Sequence, residues 1–322
     1  VKTTRTARAA LIASAAALAI AACGSSSSST DGGSGTGLTG SVRVDGSSTV
    51  APLTSAAAEL FKEAEAGVDV TVGTSGTGGG FEKFCRGETD MNDASRPIKD
   101  TEIEACKAKG IEFQEMIVAI DALTVVVNKE NTWATCLTVE QLKKIWEPGS
   151  TVNNWNQVDP SFPDEELKLF GPGTDSGTFD YFTDEINGEE GASRTDFTPS
   201  EDDNVVVKGV EGSKGGLGYF GFTYYEENAS KLNAVQVDGG SGCVAPSAAT
   251  AQDGTYVPLS RPLFVYPSIQ ALKANTALKG FLDFYVQQDA EIAEAAQFIP
   301  LNDTQRAELE AEYKKALTAA GL

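Results

Sequence analysis

Apolar and polar residues alternate along the chain in two rhythms, one suited to strands and one to helices. Residues 41–45 read as a strand. Residues 50–65 then read as a helix, with Leu53, Ala57, Leu60, Phe61 and Ala64 on one face. A second strand over 68–72 leads through a Gly/Ser/Thr loop to a helix near 80–86. Residues 101–109 are helical, and Gly110 ends that helix as a C′ glycine. Continuous apolar runs over 116–128 suit strands buried on both faces of an α/β sheet. Further on come a helix over 139–146, a strand over 167–170, a helix over 177–186, and strands over 216–225 and 263–266. The end of the chain, 269–285, 290–296 and 303–320, is mostly helical, and no tandem repeat is visible. Strands alternating with helices predict an α/β architecture with both sheet faces covered.

The start of the chain follows neither rhythm. Lys2, Arg5 and Arg8 precede an apolar run over 9–22 that ends Ile20-Ala21-Ala22-Cys23. A basic start, a short apolar stretch and small residues are the pattern of a secretory leader. The run is short for a membrane span. Cysteine at the cleavage point resembles a bacterial lipobox, which predicts a leader over 1–22 and lipidation of Cys23; the alternative is an ordinary leader with an incidental cysteine. Residues 24–40 are nearly all Ser, Gly and Thr, too polar to bury a core. They form, with Cys23, a tether over 23–40 with a reach of about 23 Å.

Composition narrows the chemistry. The chain has 322 residues, 41% of them hydrophobic, enough for two ordinary domains. Its formal charge of −21 opposes a nucleic-acid surface, and loss of the three basic leader residues takes it to −24. Histidine is absent, which excludes Ser-His-Asp and Cys-His catalysis and histidine-ligated zinc. Apart from Cys23 there are four cysteines, Cys85, Cys106, Cys136 and Cys243. An even number outside the cell predicts two disulfides among three pairings. Cys85 and Cys106 fall near the ends of short predicted helices in one neighbourhood, which favours Cys85–Cys106 and leaves Cys136–Cys243. A four-cysteine zinc site is the rival, but no Cys-x-x-Cys pair exists.

Three segments share one design: Asp45-Gly-Ser-Ser-Thr-Val-Ala-Pro52, Gly73-Thr-Ser-Gly-Thr-Gly-Gly-Gly-Phe81 and Gly171-Pro-Gly-Thr-Asp-Ser-Gly-Thr-Phe179. Each runs from a strand through glycines and hydroxyls into a helix start. Free N–H groups and the positive end of the helix dipole make such starts anion sites. Glycine lets the backbone approach a ligand and hydroxyls add donors. A plainer role is available, with Ser48, Thr49, Thr77 and Ser176 acting only as N-caps. Three such loops in one chain favour a shared ligand. Neither a mononucleotide loop nor a full dinucleotide pattern is present. A fourth segment, Asp90-Met-Asn-Asp-Ala-Ser-Arg-Pro-Ile98, supplies charge. Arg96 precedes a proline, so its side chain is presented from a loop. Lys214, in Gly212-Ser-Lys-Gly-Gly216, is a second basic candidate.

Together Gly46-Ser-Ser-Thr-Val50, Gly76-Thr-Gly-Gly-Gly80, Asp93-Ala-Ser-Arg-Pro97 and Asp175-Ser-Gly-Thr-Phe179 resemble the phosphate-binding proteins of bacterial high-affinity phosphate ABC importers. Ser200-Glu-Asp-Asp-Asn-Val205 and Gly218-Tyr-Phe-Gly221 are similar to the same family, which the chain resembles from about Ser41 to its end. The resemblance implies a two-lobed clamp, periplasmic-binding-protein-like, whose chain crosses between lobes twice: 41–120 plus 262–322 in lobe I, and 121–261 in lobe II. It implies that Ser48, Thr49 and the Val50 backbone, Thr77, and Ser176, Gly177 and Thr178 hold phosphate in the cleft. Some members carry an arginine before the third loop and an aspartate where Ser95 stands. Here Pro172 and Ser95 occupy those places, and the guanidinium is read as relocated to Arg96, with Ser95 beside it in the site. The carboxylate that accepts the phosphate proton stays open among Asp45, Asp93 and Asp175. One such acceptor would favour phosphate over unprotonated sulfate, because a buried lone pair left facing another is costly.

The implied role is extracytoplasmic phosphate binding and delivery to permease subunits, by a lipid-anchored monomer with no enzyme activity, metal or cofactor. Two other readings are a binding protein for sulfate or molybdate and a phosphatase-like enzyme with Ser48 or Ser176 as nucleophile. The second lacks an evident activating base.

Overall fold

The computed structural model describes residues 37–322. The leader, Cys23 and most of the tether lie outside them. Leu38 packs against the first core and donates its N–H to Glu65 (3.1 Å), so the last tether residues are held.

Two parallel strand–helix–strand units open the fold. β1 (Gly40–Gly46) pairs in parallel with β2 (Val68–Val72) on one side and β3 (Met91–Ala94) on the other. α1 (Ala51–Ala64) buries Leu53, Ala57 and Phe61 in the first core. α2 (Gly76–Cys85) buries Phe81 and Phe84 in a separate cluster with Tyr266, so both sheet faces are covered. α2 starts four residues before the predicted helix. Its glycines lower helix propensity, but Gly80 is needed there: a Cβ would overlap Asn92 Oδ1 and the Gly46 Cα. α3 (Asp100–Ala108) follows, and Gly110 turns the chain with φ +70°.

The apolar runs over 116–128 form one strand, β4 (Met116–Asn128). Then come β5 (Cys136–Thr138), α4 (Val139–Trp146), α5 (Trp155–Val158), β6 (Lys168–Gly171) and α6 (Gly177–Phe182), which runs into a π-helical turn, Thr183–Asn187. β7 (Thr198–Pro199), α7 (Asp203–Glu211), β8 (Gly216–Gly221) and α8 (Phe222–Asn228) lead to β9 (Leu232–Ala234), β10 (Gln236–Asp238), β11 (Cys243–Val244) and α9 (Ala248–Gln252). β12 (Ser260–Pro267), α10 (Ile269–Ala274), α11 (Thr276–Gln287), α12 (Asp289–Ala295) and α13 (Asp303–Ala320) complete the chain.

Two predicted elements change form. The strand expected over 216–225 stops at Gly221, and its Phe-Thr-Tyr-Tyr half becomes the start of α8. Those residues favour strands locally, but packing of Phe222 into the first core decides otherwise. The helix expected over 269–285 breaks at Asn275, whose side chain accepts from Ala277 N (3.1 Å) and Leu278 N (3.4 Å) and caps a new helix.

The main mixed sheet has the order β2-β1-β3-β12-β4-β8-β6-β7, with β9 also paired to β4; β11-β10-β5 form a second sheet. β4 is the shared strand. Its first half pairs antiparallel with β12, and its second half pairs with β8 and β9. Ala122 belongs to the first core and Leu123 to the second, and the return falls between Leu259 and Leu263. Phe222 and Ala251 reach back into the first core. Disulfides join Cys85 to Cys106 and Cys136 to Cys243, the favoured pairing. The first links α2 to α3, and the second spans the β11-β10-β5 sheet.

Candidate functional site

One cavity of about 470 Å³ collects most of the singled-out residues. Ser48 and Thr49 line it from the loop after β1, Thr77, Gly78 and Gly79 from the start of α2, and Ser95 and Arg96 from the loop after β3. Gly46, at φ +144°, permits the first loop: a Cβ there would collide with the Asp93 backbone. Ser47 N–H donates to Asp93 O (3.0 Å) and ties this loop to β3. The Val50 side chain is wholly buried, so only its backbone could meet a ligand.

The capping alternative divides. Neither α1 nor α2 has a side-chain cap, so Ser48, Thr49 and Thr77 do not cap them. Helix starts leave N–H groups without intrahelical acceptors; at α2 the residues that carry them, Gly76, Thr77 and Gly78, line the cavity, whereas α1 meets it only through Ser47, Ser48 and Thr49 in the loop before it. Ser176 does cap, accepting from Thr178 N (3.2 Å). Ser176, Gly177 and Thr178 of the third loop do not line the cavity. Gly177 abuts the first loop, where a Cβ would stand 3.0 Å from Thr49 Oγ1. Thr178 lines a separate cavity of about 140 Å³. Farther along, Asp180, Tyr181, Asp184 and Glu185 turn into the larger cavity.

Thr77 and Ser95 form one hydroxyl pair: Thr77 Oγ1 lies 3.2 Å from Ser95 Oγ and accepts from Ser95 N at 3.2 Å. Arg96 is tied to Glu102 by a two-pronged pair, Nη1 to Oε2 at 2.9 Å and Nη2 to Oε1 at 2.7 Å, and also donates to Pro97 O (3.0 Å). Burial pushes the Glu102 carboxyl up, but hydrogen bonds from Arg96 and from Lys99 N–H outweigh it and hold the group low.

None of the three proton-acceptor candidates lines the cavity. Asp45 pairs with Lys83 (2.6 Å) and accepts from Ser75 N (3.0 Å) and the Ser75 hydroxyl. Asp93 is sealed beneath the loops. Asp175 is exposed, its N–H donating to Glu201 (3.3 Å). The lining carboxylates are Asp180, Asp184, Glu185 and Glu190. Burial raises Asp180, Glu190 adds to it, and Arg261 opposes both.

Arg96 is not the only cation. Lys99 and Arg261 also line the cavity. Arg261 Nε donates to Asp121 Oδ2 (3.2 Å), Nη2 donates to Thr49 Oγ1 (3.1 Å), and the guanidinium lies 3.5 Å over the Tyr181 ring. The signal for it was in the sequence: Ser260-Arg261-Pro262 repeats Ser95-Arg96-Pro97, and the pre-proline argument applies equally. It was missed because no glycine-rich loop stands beside it. Lys214 instead pairs with Glu165 (3.4 Å) near Trp133, and neither it nor Arg194 lines the cavity. Arg194 is buried against Asp196 and the carbonyls of Ile145 and Val152. Among the described residues no cluster could hold a metal ion.

Comparison with known proteins adds ancestry. A family model described as a PBP superfamily domain matches residues 25–289. Protein SphX of Synechocystis is 49% identical over 263 residues, 81% of this chain and 78% of its own. The phosphate-binding protein PstS of Staphylococcus saprophyticus is 42% identical over 265 residues, 81% of each chain. A crystal structure of a possible phosphate binding protein from Planctomyces limnophilus superposes with a TM-score of 0.82 at 45% identity, covering 87% of this chain and 99% of that one.

Proposed function

This chain belongs to the PstS/SphX family of phosphate-binding proteins in the PBP superfamily, and from that premise we propose how it holds its ligand. It binds inorganic phosphate outside the cytoplasm for ABC-type phosphate uptake, as a binding protein and not an enzyme. The phosphate sits where the loops converge. Ser48, Thr49, Thr77 and Ser95 supply hydroxyls, Val50 supplies its backbone N–H, Arg96 supplies charge, and Ser176, Gly177 and Thr178, outside this cavity in the structure, join from the opposite side on closure. The observation that carries this is the uncapped start of α2 and the hydroxyl loop before α1 meeting in one polar cavity with three cations in its wall. Each neutral hydrogen bond contributes about 0.5–1.5 kcal/mol. Calorimetric titration with phosphate should therefore show Thr49→Ala and Thr77→Ala weakening binding by about 3- to 10-fold each. Unchanged affinity in both variants would remove the loops from the site.

The lobes of this clamp are 41–120 with 262–322, and 121–261. Their support is the change of core between Ala122 and Leu123 and again before Leu263. Closure about these two crossings would shut the cavity over the ion. Cys23 carries a lipid and the chain works as an anchored monomer, docking on permease subunits. No described helix is long and apolar enough to cross a membrane. Cys23→Ala should release the protein from the membrane fraction; a variant that stays bound refutes the anchor.

A further inference from the structure

We infer that Arg261, standing between the two cores, is a direct phosphate contact and the main charged one, a role that rests on the phosphate reading of this cavity. Three observations carry it. First is position. Arg261 and Asp121 face each other in register on β12 and β4, the two strands by which the chain passes between cores. The guanidinium also reaches Thr49 on one side and the Tyr181 ring on the other. It is thus the cation in contact with both walls of the cavity.

Second is the donor inventory. A guanidinium carries five N–H donors in a plane. Arg96 spends three of them on Glu102 and Pro97. Arg261 spends two, on Asp121 and Thr49, so three stay without an acceptor among the described residues. A planar fork with free edges suits an oxyanion. Third is hydroxyl direction. Thr49 Oγ1 accepts from Arg261, which leaves its own hydrogen to point elsewhere. One residue both donates to the anion and turns Thr49 into a donor. The aromatic face and the buried carboxylate hold the guanidinium in place before the ligand arrives, which lowers the ordering cost of binding.

The test is calorimetric titration of the full chain with inorganic phosphate. Removing Arg261 alone strands the buried Asp121 carboxylate, so the main variant is Arg261→Gln/Asp121→Asn, which loses both charges together. It should bind at least about 30-fold more weakly than wild type, since two or more charge-assisted hydrogen bonds are replaced by at most one neutral one from the Gln amide. Arg261→Lys keeps the pair with Asp121 but lacks the fork; it should lose about 5- to 10-fold while its melting temperature holds. Binding within about threefold of wild type by the folded double variant overturns the inference. If the double variant does not fold, wild-type affinity in Arg261→Lys does the same. Should the wild type take up no phosphate, the reading of the cavity falls and this role falls with it. If wild type binds and Thr49→Ala weakens while both Arg261 variants bind normally, only this role falls.

Discussion

A buried or half-buried charge is defined by the partner that holds it, and two residues near the site show how. Arg96 is the one arginine inside the sequence's anion motifs, with Lys214 a second basic candidate, but Glu102 takes both ends of the Arg96 fork. Arg96→Ala should weaken phosphate binding about 100-fold, since it removes a cation and leaves an unpaired carboxylate beside an anion. Adding Glu102→Gln separates the two effects. If Arg96 touches phosphate, Arg96→Ala/Glu102→Gln should stay at least about tenfold weaker than wild type by calorimetry; full recovery would mean that Arg96 only neutralises Glu102. Asp93 is the opposite case. Burial lifts its carboxyl to about 8; the Asp45 charge adds to this and the Thr54 hydroxyl opposes it. The unfolded chain loses that proton near the usual aspartate value of 3.8, while the native state keeps it until about pH 8. Native Asp93 therefore costs stability progressively as pH rises across that window, at up to about 1.4 kcal/mol per unit. Asp93→Asn should gain on wild type between pH 5 and pH 8 in urea unfolding. A constant difference at the two pH values would show that Asp93 ionises normally in the fold.

At the scale of elements, the glycine-rich loop has two jobs that its sequence does not separate. Gly78 has room: a Cβ would meet Arg96 Nη2 at 3.7 Å. Gly80 has none, because its Cα side faces Asn92 and the Gly46 backbone. Helix propensity favours alanine by about 1 kcal/mol at either position. Gly78→Ala should therefore melt at or above the wild-type temperature. Gly80→Ala should lose about 1–3 kcal/mol, as an overpacked site does, and bind phosphate more weakly as α2 is pushed from β1. Equal melting temperatures for the two variants would refute the close approach. The third loop shows the same separation. Ser176 spends its side-chain oxygen on capping α6, while Asp180 and Tyr181, about one helical turn further on, face the cavity. Periodicity finds the helix; it does not find which helical residues meet the opposite wall.

Over the whole molecule, one continuous sheet carries two large hydrophobic cores and two smaller clusters, and the polar cavity draws on residues from 47 to 261. β4 makes this possible. Its alternating side chains serve the second core through Leu123, Val125 and Val127 and a cluster on the opposite face through Val126, so a single apolar run reads as buried throughout. Local physics was enough for such elements: the strand period, the apolar helix faces, the Gly110 turn and the glycine–hydroxyl loops are set by neighbours in the chain. The anion chemistry was legible for the same reason, since donors and helix starts lie within each motif. What the chain could not declare was anything decided by distant partners. The helical form of 222–225, the break at Asn275, the sealing of Asp93 and the pairing of Arg96 with Glu102 each depend on what packs alongside. Arg261 is the clearest instance: it stands 212 positions from Thr49, and only the register of β12 on β4 brings its guanidinium to that hydroxyl. Sequence determined which residues could bind an anion, because that is a property of their groups; the tertiary structure decided which of them line one cavity, because burial and charge pairing are settled between segments that meet only when the chain is folded.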